Sequence, residues 1–165
     1  MMKSMIFDSH AHYDADQFNA DRDELLKSMP EHGVGTILNV GADWDSVTEA
    51  VQLAQKYPHV YAAVGMHPDE VGDLDEERFA FMEAQCHQDK VVAVGEIGLD
   101  YYWDTESHEV QKKWFLKQLD LARRLDLPVI IHSRDAAEDT LQIMKEYGKG
   151  LRGVIHCFSY SKELA

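Results

Sequence analysis

His10 and His12 stand two residues apart in Asp8-Ser9-His10-Ala11-His12, just past the apolar run Met5–Phe7. On an extended strand that spacing sends both imidazoles to one face. Paired neutral imidazoles are good ligands for Zn²⁺ and other borderline divalent ions. An isolated His-x-His is a weak signal, but this one has company. Glu96 follows the run Val91–Val94, His132 follows Pro128–Ile131 and His156 follows Gly153–Ile155. A hydrogen-bonded polar group at a strand end accounts for any one of these residues. It does not account for five at equivalent positions, because burying them together without a cation would be costly. The expected metal ligands are therefore His10, His12, Glu96, His132 and His156, with the Glu96 carboxylate able to bridge two cations.

The elements that must position these side chains are legible as an alternation. Short β-branched runs at Met5–Phe7, Thr36–Val40, Val60–Val64, Val91–Val94, Pro128–Ile131 and Gly153–Ile155 are separated by helical patterns. Phe18, Arg22, Leu25 and Met29 form one helical stripe, Val47, Val51 and Ala54 a second. Phe115, Leu119 and Ala122, widened by Trp114, Leu121 and Leu125, form another. Gly33, Gly35 and Gly148 fall where helices should end. Continuous apolar strands alternating with helices indicate a buried parallel sheet. An open doubly wound sheet would spread the strand-end groups along a line, whereas a closed barrel aims them at one centre. The expected fold is thus α/β, a TIM-type (β/α)₈ barrel. Residues 1–165 are read as a single domain holding its first six strands, with two further β/α units missing from a complete barrel of about 250 residues.

The remaining residues sort by context. His32, His87 and His108 lie among charged residues in helical segments and read as solvated; His59, after Pro58, reads as a turn residue. His67 tops the third strand in Gly65-Met66-His67-Pro68, and is expected to support a ligand or touch substrate, with a place among the metal ligands as the competing account. Arg134 shares a strand face with His132. Its planar fork suits an anionic oxygen, and a salt bridge to Asp135 or Glu138 is the competing account. Cys86 and Cys157 are too few for a disulfide framework and read as free thiols. If His156 faces the site, strand alternation turns Cys157 toward the core. The balance of 16 basic against 30 acidic residues gives a net charge of −14, which argues against a general polyanion-binding surface. A phosphate would have to meet bound cations and a few local basic groups. Neither a leader pattern nor an apolar stretch of about 18 residues is present, so the expected compartment is the cytoplasm and no membrane partner is expected.

With these blocks in place, the chain resembles the TatD-related deoxyribonucleases of the amidohydrolase-like barrel superfamily. Ile6-Phe7-Asp8-Ser9-His10-Ala11-His12-Tyr13-Asp14 looks like the opening signature of that family. The run from Pro128 through His132-Ser133-Arg134-Asp135 to Glu138 looks like the second. Gly65-Met66-His67-Pro68, Gly95-Glu96-Ile97-Gly98-Leu99-Asp100-Tyr101-Tyr102 and His156-Cys157-Phe158-Ser159 resemble three more blocks, in the same order across nearly the whole chain. The resemblance implies a metal-dependent phosphodiester hydrolase acting on DNA, often as a 3′→5′ exonuclease. It implies two divalent ions (Zn²⁺, Mg²⁺ or Mn²⁺), one held by His10 and His12 and the other by His132 and His156. Glu96 would bridge them as the catalytic carboxylate, and His67, Asp100, Tyr101 and Arg134 would line the substrate cleft.

The sequence departs from the family in two places. Ser159-Tyr160-Ser161 carries a tyrosine where the family usually has a small residue, which is expected to narrow or reshape the cleft. The family also closes its site with an Asp after a later strand, and no such strand precedes Ala165. Two alternatives stand beside the nuclease reading. One is a hydrolase of a small-molecule amide, lactone or ester on the same barrel. The other is an inactive remnant that covers its open side by association with another copy.

Overall fold

The computed structural model describes residues 5–103 and 105–165, so the first four residues of the segment expected to hold no leader lie outside it. Six strands form one sheet in sequence order: β1 (Ile6–Ala11), β2 (Val34–Val40), β3 (Val60–Val64), β4 (Val91–Asp100), β5 (Val129–Arg134) and β6 (Gly153–Ile155). Every neighbouring pair is parallel. The connecting helices are α1 (Arg22–Ser28), α2 (Trp44–Lys56), α3 (Glu76–Cys86), α4 (His108–Leu125) and α5 (Ala137–Tyr147).

The sheet is strongly curled. In a flat sheet β1 and β6 would stand about 24 Å apart, five spacings of about 4.8 Å. Instead the His10 ring on β1 stacks on the His156 ring just after β6, with centroids 3.6 Å apart. That closure is the barrel geometry expected from the sequence. Val47, Ala50, Val51 and Ala54 of α2, and Trp114, Phe115, Leu119 and Ala122 of α4, bury the expected stripes in one continuous core against Ile37, Val64, Ile97 and Ile131 on the outer face of the sheet. A smaller inner cluster of Leu38, Val40, Ala63, Ala93 and Ile130 fills the concave face. Truncating a buried core leucine such as Leu119 costs about 2–5 kcal/mol in a site of this kind.

Four elements differ from the sequence expectation. The first helical stripe breaks into a 3₁₀ turn (Asp16–Phe18) and α1. The cause is Arg22, whose side chain turns back to donate to the carbonyls of Tyr13, Asp14 and Ala15 and so pins the preceding turn. The fully buried residue of α1 is Leu26 rather than a member of the stripe. Gly35 lies inside β2 rather than at a helix end. β4 runs on to Asp100, six residues beyond its apolar run, because its polar end is covered by β5 and α4. Cys157 is exposed, not a core thiol: β6 ends at Ile155, and the residue sits in a turn at φ 47°, where strand alternation no longer applies. The outermost strands expose Ile6 and Phe7 on one side and Val154 and Ile155 on the other.

Candidate metal centre

The carboxyl ends of β1, β3, β4, β5 and β6 each deliver a titratable side chain to the concave rim. Two register irregularities help to aim them. Between Asp8 and Ala11, β1 uses three steps against two on β2; between Val94 and Ile97, β4 does the same against β5. Such bulges bend a strand and redirect the side chains beside them. Gly98, at φ 144°, lets the end of β4 run close along β5, where any Cβ would meet the His132 carbonyl oxygen at 1.9 Å.

Glu96 is the hub, with 4% of its surface exposed. Its Oε2 lies 3.2 Å from His10 Nε2 and 3.7 Å from His12 Nε2, and its Oε1 lies 3.0 Å from His132 Nδ1. Burial opposes the charge on Glu96, but hydrogen bonds from His10 and His132 outweigh it and hold the carboxyl well below the usual carboxylate range. His10 and His12 meet at Nε2···Nε2 3.0 Å, as the two-residue spacing requires. Three of the other four expected ligands therefore contact the Glu96 carboxylate directly.

Two donor sets lie within metal-binding reach, each with its ligand atoms within 4.8 Å of one another. The first is His10, Glu96 and His156; the second is His67, Asp100 and His132. This grouping differs from the pairing that the resemblance implies, in which His156 joins His132. The curl of the sheet is the reason, since it lays His156 on His10 across the closing side. His67 lies edge-on to His132, with centroids 4.3 Å apart, and stands among the donors. Asp100, expected at the substrate, is 1% exposed and places Oδ2 2.8 Å from His132 Nε2. Burial disfavours a charged His132 ring, yet its hydrogen bonds to Glu96 and Asp100 raise its pKa. Burial and then the neighbouring His132 lower that of His67; burial and then His10 lower that of His156.

The donor chemistry fits divalent cations: imidazole nitrogens and carboxylate oxygens converging in a partly buried rim. One detail points the same way. His10 Nδ1 is buried and has no hydrogen-bond partner among the described residues, a cost that a first-row metal ligand or its outer partner would remove.

Two expected cleft residues lie elsewhere or act differently. Tyr101 does not join the cluster. Successive residues of an extended chain face opposite sides, so Asp100 points in and Tyr101 points out. Its ring stacks on His108 at 3.5 Å and its hydroxyl donates to Asp139 Oδ2 at 2.6 Å. Tyr160 does not reach the rim either: its hydroxyl bonds Ser133 at 2.9 Å and accepts from the Ala136 amide, on the outer side of β5. Arg134 does stay on the rim. Among the described residues it forms no ion pair with Asp135 or Glu138, and its guanidinium lies over the Tyr102 ring at 3.8 Å.

Three supporting residues escaped the sequence reading. Gln111 of α4 is fully buried; it accepts from the Asp100 amide and donates to the Asp100 carbonyl, both at 2.8 Å. Two turns along the same helix, Gln118 grips the amide and carbonyl of Met66, next to His67. Asn39 accepts from the Tyr13 amide and donates to Asp14, both at 2.6 Å, fixing the chain just after His12. Polar residues within the otherwise apolar face of α4 were the available signal.

Among the described residues, no helix is long and apolar enough to cross a membrane. The sequence pattern of the family described as TatD related DNase matches residues 7–165. The chain is 41% identical over 162 residues to an uncharacterized metal-dependent hydrolase, YabD, of Bacillus subtilis, covering 98% of this chain and 64% of that protein. It is 31% identical to the 3′-5′ ssDNA/RNA exonuclease TatD of Salmonella typhimurium, covering 96% of this chain and 61% of the relative. The crystal structure of YjjV, a TatD homolog from Escherichia coli, superposes with a TM-score of 0.87 at 34% identity, over 97% of this chain and 62% of the other. This chain thus spans less than two thirds of the length of these relatives. With the barrel curl, the histidine-lined rim and the matched pattern in agreement, the chain belongs to the TatD related DNase family of metal-dependent hydrolases.

Proposed function

We propose that this chain carries most of the active site of a metal-dependent phosphodiester hydrolase acting on DNA, of the 3′→5′ exodeoxyribonuclease kind, with two divalent cations. The observation that carries this reading is Glu96, one carboxylate in contact with His10 and His12 through one oxygen and His132 through the other. That is the arrangement by which a single residue can serve two ions.

His10, Glu96 and His156 would hold one ion and His132, Asp100 and His67 the other, with His12 beside Glu96. When bound, divalent cations supply Lewis-acid stabilisation of the charge on the attacking and leaving oxygens of a phosphoryl transfer. The chain's own residues do the rest. Glu96 stays ionised at neutral pH and so presents both oxygens. Asp100 anchors His132, and Gln111 anchors Asp100 through its backbone, which fixes the ring orientation before substrate arrives. Arg134, beyond His132 on the same strand, offers a local positive charge in a protein of net charge −14, where a polyanion would otherwise be repelled.

The test is hydrolysis of 5′-labelled single-stranded DNA by the Mn²⁺-, Mg²⁺- or Zn²⁺-loaded protein, beside a panel of small amides, lactones and esters. Stepwise loss of nucleotides from the 3′ end is expected. Turnover of the small carbonyl substrates without DNA cleavage would assign the site to the other hydrolase class.

A further inference from the structure

Directly after β4, Tyr102 and Trp103 present large aromatic rings to solvent, 52% and 60% exposed. Exposed aromatics of this size are informative, because nothing in folding requires them there. Their rings meet edge to face at 4.9 Å. Arg134 lies against both, with its guanidinium carbon 3.8 Å from the Tyr102 centroid and 5.5 Å from that of Trp103.

The loop that carries them is tied to the metal-binding rim. Asp100 Oδ1 accepts from the amides of Tyr102 at 2.9 Å and Trp103 at 3.3 Å. The other oxygen of the same carboxylate, Oδ2, is on His132. The Tyr101 amide also donates to the Arg134 carbonyl at 2.9 Å, which locks the loop against the end of β5. One carboxylate thus sets the position of both the His132 ring and the aromatic pair, so the rings stand at a fixed place beside the rim.

We infer that Tyr102, Trp103 and Arg134 form a stacking platform for a nucleobase of single-stranded nucleic acid, seated next to the phosphate that meets the metal centre. This rests on the phosphodiesterase reading above. The chemistry of the three residues selects the occupant. Arg134 spends its π-face on Tyr102, which leaves its N–H edge for a phosphate oxygen. The Trp103 face accepts any base, since every base has a π-face, so the platform tolerates sequence. A ligand that is flat at one end and anionic at the other fits both halves, and a nucleotide is such a ligand. A purely apolar partner would leave the cation unanswered, and a paired duplex would keep its bases out of reach.

The test compares two probes on the Mn²⁺-loaded protein, thymidine 5′-monophosphate and the base-less deoxyribose 5-phosphate, by calorimetric titration. The nucleotide is expected to bind about tenfold more tightly, the scale of one base–aromatic stack. Trp103→Ala is expected to remove that preference and Trp103→Phe to keep most of it. Because the ring is exposed, both variants should retain the native circular dichroism spectrum. Equal binding of the two probes, or a preference that survives Trp103→Ala, overturns the platform. Turnover of a small phosphodiester, methyl p-nitrophenyl phosphate, reports separately on the reading beneath it. Turnover without base preference overturns the platform alone. Base preference without turnover supports the platform and overturns the phosphodiesterase reading.

Discussion

The two donor sets on the rim share Glu96 as a neighbour but differ in how well they are satisfied by protein alone. In the set of His10, Glu96 and His156, His10 Nδ1 is buried without a partner, and the His156 ring simply stacks on His10. In the set of His67, Asp100 and His132, both nitrogens of His132 reach carboxylates, and both oxygens of Asp100 are engaged. His67 Nδ1 accepts from the Asp69 amide as well. A cation entering the first set meets rings that hold fewer hydrogen bonds in its absence. A cation entering the second must displace a proton from hydrogen bonds already made. The first set is therefore the one that depends on metal, and the second is organised before metal arrives.

The largest test removes what the sets share. Glu96→Gln takes a charge from both, and should lower affinity for Mn²⁺ or Zn²⁺ at both sites by at least the roughly 100-fold that even outer partners of metal ligands can cost. Calorimetric titration reads this as the loss of every resolved binding step. Retention of one tight step would show that the sets are independent, and that Glu96 does not link them.

A finer cut separates the sets. The first set, where fewer existing hydrogen bonds must be broken, should give the tighter step and the second the weaker; His10→Ala should abolish the former and His67→Ala the latter. The two steps should also differ with pH. Burial opposes protonation of His132, but its carboxylate partners prevail and raise its pKa, so the proton competes with the cation further into the neutral range. His156 is shifted the other way, chiefly by burial. Below the raised pKa of His132 the weaker step should lose about tenfold in affinity per pH unit, while the tighter step falls off only at lower pH. Parallel pH profiles for the two steps would erase the distinction.

Most of the rim was legible because its geometry follows from local rules. The His10–His12 spacing fixes a shared face, and each ligand stands just past an apolar run, so strand ends and site residues were read together. What was not legible depends on contacts between distant elements. Which histidines group together is decided by curl, which lays the chain after β6 against β1, and no local pattern encodes that. The break before α1 follows from Arg22 reaching back to three carbonyls, against a stripe that reads as one helix. Asp100 and Tyr101 are adjacent in one block of the family resemblance, but alternation sends them to opposite sides of the sheet.

The buried glutamines offer a moderate test of the claim that the second set is pre-organised. Gln111→Leu leaves the amide and carbonyl of Asp100 without their partner in a buried place, which costs about 1–3 kcal/mol. For a chain of this size that is a fall in melting temperature of roughly 2–12 °C. The weaker cation step should weaken with it, and the tighter step should not. A variant that melts lower with both steps intact would make Gln111 a matter of stability only.

The smallest expected effect concerns Tyr101, and it tests the comparison from outside the rim. The family resemblance puts this residue at the substrate, while the structure turns it outward, where its hydroxyl donates to Asp139 of α5 and its ring covers His108 of α4. Burial and the adjacent Asp139 raise its pKa, so the hydroxyl keeps its proton through the neutral range. Tyr101→Phe keeps the ring stack and removes one hydrogen bond. Asp139 is not stranded by this, since Lys112 remains 3.5 Å away and the carboxylate is only partly buried. The loss should be about 0.5–1.5 kcal/mol in stability, a change of a few degrees at most, with both cation steps and the affinity for single-stranded DNA unaltered. Weaker DNA binding at unchanged stability would return Tyr101 to the cleft. It would also mean that the strand end after Asp100 rearranges when substrate arrives, and that the inward–outward alternation holds only in its absence.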